Sequence, residues 1–178
     1  MRPRVTHIAA ACCAFLIVCA RLPAQNPVAT ALQSAALEAG RNLVESAEEM
    51  PADKYGFKPT PAQMSFAQVV LHVAGGNAMM CGWIAGTKAP EQAKLSPDDA
   101  KEKLVARLKD SFTFCTSALA QVDDSKLGDS IPSPGRRKVT RAAEMVDLAV
   151  DWADHYSQLA IYLRLNGLLP PTAKRKGM

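Results

Sequence analysis

Asp151 and His155 lie four residues apart in Asp151-Trp-Ala-Asp-His155-Tyr-Ser-Gln158, inside a segment with helical patterning. Four residues is about one helical turn, so both side chains leave one face with Cβ atoms roughly 5–6 Å apart. The chain has three histidines, at positions 7, 72 and 155. If His72 arrives from a second helix, two imidazoles and one carboxylate face a common point. Such a set suits a divalent metal with open coordination positions. Burying Asp151 without a partner would be costly, and a divalent cation would compensate it while keeping all three groups deprotonated. The competing arrangement needs no metal: Asp151 hydrogen-bonded to a protonated His155. Taken singly, His72 also reads as a satisfied core histidine and Asp151 as a surface acid. Gln158, three residues past His155 on the same side, is placed to orient a ligand or a bound water, or else to bridge two helices. Asp154 points elsewhere on the helix and is no ligand.

These residues need elements to carry them. Residues 1–24 have the anatomy of a secretory signal, with Arg2 and Arg4, an unbroken small and apolar run from Ile8 to Ala20, and Leu22-Pro23-Ala24-Gln25 as a cleavage region. The apolar run holds 13 residues, whereas a spanning helix needs about 20, so a retained anchor and a stable membrane span are disfavoured. Lipidation at Cys19 is a further alternative, weakened by Val18 before it. The expected location is periplasmic or secreted. Cleavage would remove Arg2, Arg4 and Arg21 from 21 basic residues and none of the 17 acidic ones, leaving a charge of +1. A nearly neutral domain carries no electrostatic footprint for nucleic acid. Residues 25–178 suit one domain. Cys81 and Cys115 remain as an even pair in an oxidising compartment; they are either a disulfide or two buried thiols in neighbouring helices.

Apolar periodicity predicts helices over residues 28–49, 65–85, 96–121 and 140–166. Met50-Pro51 stops the first, and Tyr55 and Phe57 in the Pro-rich loop after it should tuck into the bundle. Ser65 caps the second, which is apolar nearly all round, with Met79, Met80 and Trp83 expected in the core. Paired Gly75 and Gly76 inside it cost about 1 kcal/mol each against Ala and imply a close approach of another element or a ligand. Ser96-Pro97-Asp98-Asp99 reads as the start of the third helix. Residues 123–138 read as the longest loop. Thr140 caps the fourth helix, with Glu144 in its first turn and Leu148, Leu159 and Leu163 as its apolar stripe; Gly167 and Pro170-Pro171 end it. Lys174-Arg175-Lys176 reads as a solvated tail. No strand alternation, repeat or phosphate loop is visible. The fold class is all-α, a four-helix bundle.

Three stretches carry a resemblance: Tyr55-Gly-Phe57-Lys-Pro59, Phe66-Ala-Gln-Val-Val-Leu-His72-Val-Ala, and Asp151-x-x-x-His155-Tyr-Ser-Gln158-Leu-x-x-Tyr162-Leu-Arg164-x-x-Gly167. On them the chain resembles the DinB/YfiT-like family of metalloenzymes over essentially its whole mature length. The resemblance implies a four-helix bundle and a metal, often zinc or nickel, held by one His from the second helix and a His-x-x-x-His pair from the last long one. It implies His72 as first ligand and His155 as third. Asp151 stands where the family usually has a second His, and Ser157 where Gly is common. Some relatives use small cytoplasmic thiols, a poor fit to an exported chain, and the family name does not imply DNA binding. The expected function is that of a metal-dependent hydrolase or transferase on a small molecule. The alternative is a non-catalytic, metal-containing or structural bundle. No Ser-His-Asp arrangement is visible, and the sequence names no catalytic residue, substrate or oligomeric state; a homodimer is one open assembly.

Overall fold

The computed structural model describes residues 26–177; the expected export signal, residues 1–24, lies outside them. Among the described residues there are five α-helices, α1 (Pro27–Glu49), α2 (Phe66–Ala85), α3 (Lys101–Leu119), α4 (Arg141–Leu165) and α5 (Pro171–Lys176). One antiparallel hairpin joins β1 (Ser130–Ser133) to β2 (Arg137–Thr140), with Ile131 opposite Val139. No described helix is long and apolar enough to cross a membrane.

The four long helices form the bundle. α1 packs chiefly on α3 and α4, and α2 packs on the same two, so α1 and α2 sit diagonally across from each other. Each diagonal step, α1 to α2 and α3 to α4, needs a long connection. That is the physical reason for the extended segments before α2 and before α4. The core fills the space between them with Leu43, Phe66, Val70, Ile84, Leu108 and Trp152, all buried. Leu148, Leu159 and Leu163 of α4 are buried as their spacing requires. The loop before α2 is pinned by Tyr55, whose hydroxyl donates to the Ala47 carbonyl at 2.5 Å. Its ring meets Phe66 edge-on.

Cys81 of α2 and Cys115 of α3 form a disulfide with Cα atoms 5.3 Å apart. At the residue after Cys81, the chain beyond α2 folds back so closely that a Cβ on Gly82 would lie 2.8 Å from the Thr87 carbonyl oxygen. Gly86 ends α2 with φ 70°, a left-handed cap that glycine adopts without strain.

The structure departs from the sequence reading in four places. α3 starts at Lys101 rather than at residue 96. Asp99 accepts from the Ser96 backbone N–H at 2.8 Å and closes residues 96–99 into a turn that competes with the helix. Within the expected loop at 123–138, β1 and the start of β2 form a hairpin, with Ile131 and Ser133 facing inward. Four-residue strands broken by Pro132 leave too short an alternation to read. The C-terminal basic run is a docked helix: Lys174 pairs with Glu49 at 2.6 Å and Arg175 with Glu45 at 2.6 Å. Arg175 also donates to Asn42, and the Tyr156 hydroxyl bonds Thr172 at 2.7 Å. Finally, Met80 is core but Met79 is 40 % exposed. Glu144 at the start of α4 is fully buried, and burial raises its carboxyl above the usual range.

Candidate metal centre

Two helix starts set the site. A reciprocal capping box fixes α2: the Ser65 hydroxyl accepts from Gln68 N–H at 3.2 Å, and Gln68 Oε1 accepts from Ser65 N–H at 2.7 Å. Seven residues, or two turns, later His72 leaves the helix. Thr140 caps α4 by accepting from Ala143 N–H at 3.2 Å. Asp151 and His155 follow on the face of α4 turned toward α2.

Their relative height is set by a buried polar tie that the sequence reading missed. Trp152 Nε1–H donates to Asn77 Oδ1 at 2.7 Å, and Asn77 Nδ2 donates to Ser111 Oγ at 3.0 Å. Asn77 follows Gly76, and Trp152 follows Asp151, so one bond between them fixes the register of both site-bearing stretches. Asn77 is 1 % exposed, and an unpaired amide there would cost about 1–3 kcal/mol. The detectable signal was Asn77 as one of three polar side chains, with Gln68 and His72, in an otherwise apolar helix.

His72, Asp151 and His155 converge, each offering a ligand atom, with all three atoms within 4.8 Å of one another. The two imidazole rings meet edge-on with centroids 4.7 Å apart. His155 Nε2 lies 3.3 Å from Asp151 Oδ1. Two donors about 2.0–2.2 Å from a tetrahedral ion sit roughly 3.3–3.6 Å apart, so this spacing serves a shared cation as well as a hydrogen bond. Exposure is graded: His155 is buried, Asp151 half-buried and His72 exposed. The centre is therefore anchored in the bundle and open on the side of His72. The Asp151 carboxylate beside it holds the His155 imidazole above its ordinary range; burial opposes this, and the Gln158 hydrogen bond adds to it.

The paired glycines divide their roles. A Cβ on Gly76 would lie 3.8 Å from Asp151 Oδ2, so Gly76 faces the carboxylate, whereas Gly75 has nothing within 4 Å. Gly76 keeps the wall beside the Asp151 carboxylate low. Gln158 stands where the sequence placed it, with Oε1 3.2 Å from His155 Nδ1. Asp154 is exposed and stands outside the cluster. The apolar groove of about 480 Å³ between Leu32, Met145, Val146 and Val150 runs along the other side of α4, away from the donors.

Two imidazoles and a carboxylate could hold a divalent metal ion by donor chemistry. Gln158 meets the further requirement that a ligating histidine have a partner on its other nitrogen.

The chain matches the family model of the DinB superfamily over residues 35–159. It is similar to a DinB-like protein from Bacillus subtilis, with 25% identity, a TM-score of 0.63, and coverage of 77% of this chain and 92% of that one. It is also similar in fold to a conserved protein from Enterococcus faecalis, with 18% identity, a TM-score of 0.61, and coverage of 78% and 96%. No curated protein matches. With a bundle of this architecture, and a family match across all four long helices, the chain belongs to the DinB superfamily.

Proposed function

We propose that this chain is an exported metalloprotein in which His72, Asp151 and His155 hold one divalent ion, and that it acts as a hydrolase or transferase on a small molecule. The observation that carries the reading is the convergence of three donors from α2 and α4 within 4.8 Å, with His72 on the solvent side. Zinc and nickel are the ions that this donor set and the family favour. A bound ion supplies Lewis acidity and a water of lowered pKa at its open positions. The protein supplies the rest. Asp151 contributes a negative charge that would offset part of the ion's, beside the two imidazole donors. Gly75 and Gly76 leave room for a substrate beside the donors. Export is supported by the apolar N-terminal run and by the Cys81–Cys115 bridge, which suits an oxidising compartment.

The second reading is a structural bundle in which Asp151 and a protonated His155 form an ion pair and no metal binds. Their 3.3 Å contact favours it as directly as it favours the metal. Elemental analysis and calorimetric titration with Zn(II) and Ni(II) separate the two. The metal reading expects one ion per chain, released by chelators. An absence of stoichiometric binding sinks it and leaves the ion pair.

A further inference from the structure

The other nitrogen of His155 is tied to a hydrogen-bond series whose direction is set at its far end. Tyr162 Oη lies 2.9 Å from the Met64 carbonyl oxygen, which can only accept. The single phenolic proton therefore points at Met64. Tyr162 Oη is then left as an acceptor, and Gln158 Nε2 donates to it at 3.0 Å. That fixes the Gln158 amide with Oε1 toward His155 Nδ1 at 3.2 Å. An oxygen facing Nδ1 requires a proton on Nδ1. A flipped amide would leave the Met64 carbonyl or the Tyr162 oxygen without its partner.

We infer that Gln158 and Tyr162 are positioning residues that keep His155 protonated at Nδ1, and so present Nε2 to the point shared with His72 and Asp151. The series runs along one face of α4, at His155, Gln158 and Tyr162, and ends in the loop that enters α2. Its end is rigid. Tyr162 is 1 % exposed, and its ring meets Phe57 edge-on with centroids 5.8 Å apart. The segment before α2 therefore sets the orientation of a histidine on α4. A His72 imidazole placed by α2 and a His155 imidazole placed by the same loop through Tyr162 share one reference frame.

The inference uses the metal reading for its consequence, but its first test does not need a metal. In metal-free protein with 15N-labelled histidine, Nδ1 of His155 should carry a proton, read as a one-bond N–H coupling at that nitrogen. In Gln158→Leu that proton should be lost or exchange rapidly. A His155 Nδ1 that carries no proton in wild type overturns the inference, whatever the metal does. The second test is Zn(II) affinity. Gln158→Leu should weaken it about 10–100-fold, Tyr162→Phe should weaken it less, and Gln158→Glu, which still accepts from Nδ1–H, should restore it. A Gln158→Leu protein that melts lower yet binds Zn(II) as tightly as wild type makes the residue merely structural and overturns the inference. If wild type binds no metal while Nδ1 stays protonated, the metal reading fails and the tautomer lock stands.

Discussion

Asp151 presents His155 with two exclusive offers, a hydrogen bond to its protonated ring or a shared cation. The proton and the metal compete for one nitrogen, which gives the centre a sign in pH. In metal-free protein the Asp151 contact raises the His155 imidazole above its ordinary 6.5. A raised folded value contributes stability that is complete below the unfolded value and is lost as pH rises through the folded one. Metal binding needs the neutral ring, so its contribution runs the other way. We expect the melting temperature without metal to drift down above about pH 6.5, the unperturbed range of His, and the increment from saturating Zn(II) to grow over the same window. Melting curves across that range check it; an increment independent of pH would remove His155 from the ligand set. The Asp151-x-x-x-His155 spacing was legible because it is one turn, and Gln158 likewise. Tyr162 was not recognised as part of the site, because its role depends on a carbonyl in a distant loop that no spacing on α4 encodes.

At the level of elements, Asn77 and the disulfide hold α2 in place from two directions. Asn77→Ala removes a buried amide, leaves the Trp152 N–H unpaired and opens a small cavity. The expected cost is about 2–4 kcal/mol, together with weaker metal binding, because α2 and α4 lose their shared register. Denaturant melts and a Zn(II) titration check both, and an unchanged affinity would detach the tie from the site. The Cys81–Cys115 bridge spans 34 residues, for which chain-entropy arguments give about 3–4 kcal/mol. Cys115→Ser should lower stability by about that amount without changing metal stoichiometry, as read by chemical denaturation and elemental analysis. The four long helices were legible from their periodicity, and the starts of α2 and α4 from their caps Ser65 and Thr140. The hairpin and α5 were not. Both are short, and each is stabilised by what it docks on: Ile131 against the bundle, Arg175 on Glu45 and Asn42. Tertiary contacts of that kind leave no periodic trace in the sequence.

On the scale of the whole molecule, α1 and α2 face each other across the bundle diagonal, so α4 touches both and closes the core between them. A chain truncated before Thr140 loses Leu148, Trp152, Leu159 and Leu163 together, and should neither melt cooperatively nor bind metal; circular dichroism of that fragment tests the architecture. The bundle class followed from helix count and loop length, but the diagonal order did not, since pairwise neighbours depend on packing that composition does not record. The same order brings α2 beside α4 and so makes the three-donor centre. It is tested most directly by calorimetric titration of Zn(II) into wild type, His72→Ala and Asp154→Ala. Wild type should show one tight site, His72→Ala should lose it with only two protein ligands left, and Asp154→Ala should bind nearly as wild type does. Equal affinity in wild type and His72→Ala, or no binding in wild type, would contradict it.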